Sequence, residues 1–219
     1  MTRLAVFDCD GTLADGQANI CRAMALAFAE AGLPAPDPRA VRRIVGLSLP
    51  QAVARLAPTL DEAAHHDVAE GYKRHFRAMR TDGTLAEEPL FPGVVAALAA
   101  LLDGGWRLGV ATGKSDRGLA LLLAHHGIAR HFTTLQTADR HPSKPHPAML
   151  LAALAEAGAS PQASVMIGDT AFDMAMARAA GVRAVGVTWG YHGPDELIAA
   201  GADVLAHDAA TLPQLLETA

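Results

Sequence analysis

Two aspartates stand close together immediately after an apolar stretch near the start of the sequence. Asp8 and Asp10 follow Leu-Ala-Val-Phe at residues 4–7, and Gly11 comes directly after them. Because side chains alternate along a strand, a strand ending here would start both carboxylates on the same side. Two buried carboxylates repel each other, and their oxygen atoms suit a hard divalent cation such as Mg²⁺. The spacing therefore predicts a cation site at the end of the first strand.

A second pair of aspartates follows another apolar stretch. Asp169 comes after Val-Met-Ile-Gly at residues 165–168, and Asp173 lies four residues further on. Residues four apart lie on one face of a helix, so both carboxylates can face one point. The alternative is purely structural, with Asp169 capping a helix and Asp173 exposed. The cation expected beside Asp8 and Asp10 favours a shared metal site.

Three further residues have the chemistry to bind an anion. Thr112 and Gly113 end an apolar stretch and precede a helical pattern, where a hydroxyl and free backbone N–H groups can bind phosphate. Lys144 stands in Ser-Lys-Pro-His-Pro at residues 143–147, just before another helical pattern. Thr112 could equally be an ordinary helix cap, and most lysines are solvated surface charges. The residues alone leave both alternatives open.

Four segments together resemble the motifs of a known family. D-C-D-G-T-L at 8–13, T-G at 112–113, K-P-H-P at 144–147 and G-D-T-A-F-D at 168–173 are similar to the four motifs of the haloacid dehalogenase-like hydrolases, in the same order. The resemblance spans nearly the whole chain. G-V-T-W-G-Y at 186–191 further resembles the phosphoglycolate phosphatase-like branch. The fold that this resemblance implies is a Rossmann-like α/β core with an inserted α-helical cap.

The resemblance also implies roles for individual residues. Asp8 would attack phosphorus and form an aspartyl-phosphate, and Asp10 would protonate the leaving alcohol and later activate water. Mg²⁺ would be held by Asp8, the backbone carbonyl of Asp10 and Asp169, with Asp173 supporting these ligands. Phosphoryl transfer needs mainly positioning and charge neutralisation, which such a set can supply. The residues implied to hold the phosphoryl oxygens are Thr112, Gly113 and Lys144.

The elements that must position these residues alternate along most of the chain. Beyond the first strand, the sequence predicts strands at 106–112, 132–136, 164–169, 183–187 and 202–205, separated by helical patterns. This alternation predicts a parallel sheet with helices on both faces and a functional site beyond the carboxyl ends of the strands. Residues 15–85 carry helical patterns alone. They are predicted to form a helical cap domain inserted into a core of residues 1–14 and 86–219.

The cap is expected to close over the strand ends, exclude bulk water and admit a small phosphorylated metabolite. Residues 42–48 form the cap loop predicted to contact the leaving group, through Arg42, Arg43 and Ser48. A guanidinium there would suit a carboxylate such as that of 2-phosphoglycolate, which the family resemblance favours.

Composition argues against several classes of function. The 219 residues include 18 Lys and Arg against 23 Asp and Glu, a net charge of −5, which argues against a nucleic-acid surface. No apolar run approaches the roughly 18 residues of a membrane span, and no signal-like segment precedes the first strand. Cys9 and Cys21 are too few for a disulfide framework. The expected location is the cytoplasm, and the expected assembly is a monomer or homodimer.

Other activities stay open on the sequence. A dehalogenase would use the same carboxylate attack without a metal, so Asp10 and Asp169 count against it. A sugar-phosphate mutase, or another small-molecule phosphatase or pyrophosphatase of the superfamily, would keep these residues. A binding module without activity would not need every motif filled.

Overall fold

A parallel β-sheet forms the centre of the protein, of which the computed structural model describes residues 2–217. The strands are β1 Arg3–Phe7, β2 Trp106–Thr112, β3 Phe132–Thr137, β4 Ser164–Gly168, β5 Arg183–Val187 and β6 Val204–Ala206. They pair in the order β3-β2-β1-β4-β5-β6, and every pairing is parallel. The winding therefore changes direction between β1 and β4, which is where α/β sheets open a crevice at the carboxyl ends of their strands.

Helices cover both faces of this sheet and also form an insert beside it. Within the described residues they are α1 Gln17–Glu30, α2 Pro38–Arg42, α3 Leu49–Leu56, α4 Glu62–Thr81, α5 Val94–Asp103, α6 Asp116–His125, α7 Ala148–Ala157, α8 Ala171–Ala179, α9 Pro194–Ala200 and α10 Leu212–Glu217. Side chains alternate along β1 between the two faces of the sheet. Ala5 and Phe7 pack with α5 and α6, whereas Leu4 and Val6 pack with α7 and α8 on the opposite face. The predicted α/β class with a parallel sheet is confirmed.

Helices α1 to α4 form the helical insert between β1 and α5. Their apolar side chains form a separate cluster. Tyr191 of the core is part of this cluster, and Phe172 of the core packs against it. At the return to the core, the Asn19 side-chain amide donates to the Ala86 carbonyl and accepts from the Ala86 N–H, both at 2.9 Å. The insert is therefore helical as predicted, while its bounds at residues 15 and 85 stay a prediction. None of the described helices has the length and apolar character needed to cross a lipid bilayer.

Candidate active site

Asp8 lies directly beyond the carboxyl end of the central strand β1 and is fully buried. Its Oδ1 accepts a hydrogen bond from the Cys9 N–H at 2.7 Å and lies 2.8 Å from the Lys144 ammonium. Its Oδ2 is buried and has no hydrogen-bond partner among the described residues. Cys9 points into the core behind the sheet, as the alternation of a strand requires. One oxygen of Asp8 is therefore anchored and the other is free to react or to bind a cation.

Three carboxylates converge at this point of the fold. Asp8, Asp169 and Asp173 each place an oxygen within 4.8 Å of the others, and all three are buried. Lys144 bridges Asp8 and Asp173, since its Nζ also lies 2.6 Å from Asp173 Oδ1. One lysine against three carboxylates leaves two uncompensated negative charges, which one divalent cation would balance. The oxygen-only donor set and the two uncompensated negative charges both fit Mg²⁺.

The protonation equilibria of the cluster reflect this excess of negative charge. Burial raises the pKa of the Asp8 carboxyl to about 7, although the charge of Lys144 acts in the opposite direction. Burial, together with the charges of Asp8 and Asp173, raises the pKa of Asp169 well above its usual value. Burial lowers the pKa of Lys144, but its two aspartate partners outweigh burial and raise it above the ordinary value. The lysine is therefore charged, and the carboxylates lack a further positive charge.

Asp169 follows β4 and is held by the loops on either side of it. Its Oδ1 accepts from the Thr12 hydroxyl at 2.8 Å, and its Oδ2 accepts from the Tyr191 N–H at 2.9 Å. Gly11, which has a φ of +88°, and Gly190 approach it so closely that a Cβ atom on either would overlap its side chain. Each oxygen retains a lone pair for a cation. Two glycines thus make room for the carboxylate that the sequence predicts as a metal ligand.

Asp173 lies in the first turn of α8 and is buried, not exposed. Its Oδ2 accepts from the Thr170 N–H at 3.0 Å and from the Thr170 hydroxyl at 2.7 Å, and Thr170 caps the helix in return. Its Oδ1 is bound to Lys144. Thr170, not Asp169, is therefore the helix cap. Both oxygens of Asp173 are engaged by protein groups, which suits the supporting role predicted for it.

The Asp10 carboxylate lies apart from this cluster and binds Lys114 instead. The Lys114 ammonium is 2.7 and 2.9 Å from the two Asp10 oxygens and 4.0 Å from the buried Glu88 carboxylate. Burial lowers the pKa of Lys114, but the charge of Asp10 outweighs it and raises the pKa above the usual value. Sequence reasoning missed this lysine. Its position two residues after the end of β2 could have indicated it, because functional residues of such sheets lie beyond the carboxyl ends of the strands. The same reasoning predicts Thr112 and Gly113.

Thr112 and Gly113 lie at the carboxyl end of β2, facing the insert. Thr112 is buried and its hydroxyl accepts from the Lys114 N–H at 3.2 Å. The cap of α6 is Ser115, whose hydroxyl accepts from Gly118 N–H at 3.1 Å, so Thr112 is not the helix cap. A Cβ atom on Gly113 would lie 2.5 Å from the Leu47 carbonyl oxygen. Glycine at this position therefore permits the insert to touch the core beside Asp8. Phosphate binding by this pair stays a prediction.

Besides the approach of its Leu47 carbonyl to Gly113, the cap loop contacts the core through three further residues. The Ser48 N–H donates to the Ser143 hydroxyl at 2.7 Å. The Arg42 guanidinium donates to the Gly190 carbonyl at 2.8 Å and lies over the Tyr191 ring. The exposed Arg43 forms an ion pair with Glu196 of α9. These contacts hold the insert against the core, and neither guanidinium lines the cavity between the two.

That cavity has a volume of about 400 Å³ and lies between the insert and the carboxyl ends of the strands. Asp10, Gly113, Lys114, Arg117 and Asp139 are among the core residues that line it, and the turn at residues 44–47 lines it from the insert. Side chains of α1, α3 and α4 form the remaining wall. The space beside Asp10 is therefore enclosed mainly by the insert.

Known proteins are similar to this chain in sequence and in fold. A sequence profile of the haloacid dehalogenase-like hydrolases matches residues 5–187. The chain is 38% identical to "Probable phosphatase IndB" of Dickeya dadantii, over 94% of this chain and 89% of that protein. It is 36% identical to a plasmid-encoded phosphoglycolate phosphatase of Cupriavidus necator, over 98% and 93% of the two chains. The crystal structure of a predicted phosphatase from Clostridium acetobutylicum superposes with a TM-score of 0.90 over the full length of both chains at 24% identity, which shows the shared fold. This chain belongs to the haloacid dehalogenase-like hydrolase family.

Proposed function

We propose that this protein is a magnesium-dependent phosphatase that hydrolyses a small phosphorylated metabolite through an aspartyl-phosphate on Asp8. The observation that carries the proposal is the environment of Asp8. Its Oδ2 is buried and unpartnered, while Oδ1 is fixed by Cys9 and Lys144. A nucleophile needs this combination of a fixed orientation and one free oxygen.

Asp8 and Asp169 would hold Mg²⁺ together with the backbone carbonyl of Asp10. Asp173 would support them through its bonds to Lys144 and Thr170. When bound, the cation would neutralise the carboxylates and the negative charge of the phosphoryl group.

The remaining chemistry is assigned to the side chains of the chain. Oδ2 of Asp8 forms a bond to phosphorus while the bond from phosphorus to the leaving oxygen breaks, and Asp10 gives that oxygen its proton. In the second half, Asp10 takes a proton from water as the water oxygen bonds to phosphorus and Asp8 is released. Lys144 balances the charge of Asp8 and the transferred group. The N–H groups after Thr112 are proposed to bind the phosphoryl oxygens.

This proposal is tested by comparing the turnover of the native protein with that of an Asp8→Asn variant and of a control variant. The Asp8→Asn protein should lose magnesium-dependent hydrolysis of phosphate monoesters, because an amide is a poor nucleophile, while its melting temperature should not fall. Asp61→Asn is a matched control, since Asp61 caps α4 on the surface and asparagine caps equally well. Undiminished turnover by folded Asp8→Asn protein would exclude the mechanism. Transfer of the phosphoryl group to a second sugar phosphate instead of water would indicate the mutase reaction.

Named phosphoglycolate phosphatases among the relatives make 2-phosphoglycolate one metabolite to assay. Arg42 and Arg43, expected from the sequence to bind its carboxylate, are engaged with Gly190 and Glu196. We therefore assign recognition of the leaving group to the side chains that line the cavity.

A further inference from the structure

The wall of the 400 Å³ cavity is apolar where it faces Asp10 from the insert. Ile20 and Met24 of α1, Leu49 of α3, and Tyr72 and Phe76 of α4 contribute to it. The two rings lie with their centroids 5.7 Å apart. A cavity of this volume lies in the range that holds ligands of drug size, with mostly apolar walls and a few polar groups. A two-carbon leaving group such as glycolate would leave most of that wall without contact.

Besides Lys114, four cationic side chains line this cavity, together with the carboxylate of Asp139. Lys73, Arg77 and Arg80 recur along one face of α4, and Arg117 faces them from α6. Lys73 is paired with Glu70, and Arg80 lies over the Phe76 ring. Within residues 2–217, no carboxylate lies within ion-pair distance of Arg77 or Arg117. Unpaired guanidinium groups at a cavity of this kind attract an anionic group of a ligand.

We propose that the leaving group of the substrate is an extended, mainly apolar unit with a second anionic group at its far end, not a two-carbon acid. The inference rests on the proposed phosphatase function for the position of the phosphate, which lies beyond Asp10 and Lys114. The apolar body lies against α1, α3 and α4, and the second anion lies near Arg77 and Arg117. The substrate class is thus the phosphate monoesters of amphiphilic acids.

Three phosphate esters of primary alcohols separate the contribution of the apolar body from that of the second anionic group. Ethyl phosphate, hexyl phosphate and the phosphate ester of hydroxyhexanoate differ in apolar length and then in terminal charge, while the leaving oxygen stays similar. Burial of each added methylene should raise kcat/KM by up to about fourfold, so hexyl phosphate should exceed ethyl phosphate by at least about tenfold. The terminal carboxylate should add about two- to fivefold, and this part should shrink at high salt.

Matched variants locate the effects in the cavity. Leu49→Asn should lower the ratio of kcat/KM for hexyl over ethyl phosphate. Leu56→Asn, in the same helix and packed on the same cluster but outside the cavity, should not change it. Arg77→Gln should remove the preference for the terminal carboxylate. Arg74→Gln should keep it, because Arg74 of the same helix is bound to Glu30.

Equal kcat/KM values for ethyl and hexyl phosphate, or a clear preference for 2-phosphoglycolate over both longer esters, would overturn the inference. Calorimetric binding of the same three esters to the Asp8→Asn protein, with magnesium present, gives a readout without turnover. The longer esters should bind at least about tenfold more tightly than ethyl phosphate, and equal binding would overturn the inference as well. Tighter binding of long esters without hydrolysis of any ester by the native protein would instead refute the proposed phosphatase function alone.

Discussion

Replacing Lys144 with methionine removes the only positive charge that contacts the buried carboxylate cluster within the described residues. The Lys144 ammonium is fully buried, 2.8 Å from Asp8 Oδ1 and 2.6 Å from Asp173 Oδ1. Methionine fills a similar volume without charge or hydrogen-bond donors. The variant therefore isolates electrostatics from the loss of packing that alanine would cause.

The expected cost follows from this burial. Removing one partner of a buried ion pair costs about 3–5 kcal/mol, because the remaining charge stays buried without compensation. For a chain of this size, about 1 kcal/mol corresponds to roughly 2–4 °C in melting temperature, so Lys144→Met should melt roughly 6–20 °C below the native protein. The carboxylates can escape part of this cost by taking up protons. The deficit should therefore be larger near about pH 8 than near about pH 5.

Thermal melting in a chelator, at both pH values, measures this cost. Lys73→Met is the matched control, because Lys73 forms a partly exposed pair with Glu70 and its removal should shift the melting temperature by less than about 4 °C. Turnover of Lys144→Met should be lost as well. A Lys144→Met protein that melts like the control, at either pH, would refute the claim that this lysine holds the acidic cluster together.

The remaining predictions concern the cation, its pH dependence and the glycine contacts. Excess chelator should abolish turnover, Mg²⁺ should restore it, and Ca²⁺ should not, because its looser coordination misplaces the nucleophile; full activity in chelator would contradict the proposed site. Because the pKa of folded Asp8 is raised from 3.8 to about 7, the folded state binds more protons than the unfolded state between these values, so stability in chelator should fall as pH rises through this window. Saturating Mg²⁺ should reduce that fall, and a denaturation series with identical pH profiles in both conditions would speak against cation binding by Asp8. Gly190→Ala should weaken Mg²⁺ activation and cost about 1–3 kcal/mol of stability, because its Cβ overlaps Asp169, whereas Gly193→Ala, whose Cβ would make only an ordinary contact with Glu196, should do neither. Equal effects of the two alanine substitutions on Mg²⁺ titration would show that the close approach to Asp169 is unimportant.

The position of the acidic cluster could be predicted because it depends on the main chain. Asp8 and Asp169 each follow an apolar strand, and parallel strands present their carboxyl ends at one edge of the sheet. Adjacency of β1 and β4 then brings the two aspartates together. The period of α8 turns Asp173 back toward them. Only the order of the strands was missing, and alternation of strands and helices does not determine that order.

Side-chain partners distant in the sequence could not be predicted in this way. Arg43 pairs with Glu196 across 153 residues of sequence, and Lys114 binds Asp10 across 104. A long, flexible side chain can reach several partners from one backbone position, so its position alone does not select one. The same limit applies to Gly190, whose need to be glycine depends on the packing of its loop against Asp169. These contacts exist only once the insert and the loops are folded onto the sheet.

The most direct test of the account is to trap the phosphorylated protein. The purified protein is mixed with magnesium and a phosphate monoester that it hydrolyses, quenched in acid within the first turnover, and digested for mass spectrometry. A phosphoryl group should be found on the peptide that contains Asp8, should appear before free phosphate, and should be absent in chelator and in the Asp8→Asn protein. Release of phosphate at the full rate with no phosphorylated Asp8 at any time, or with the phosphoryl group on another residue, would contradict the proposed mechanism.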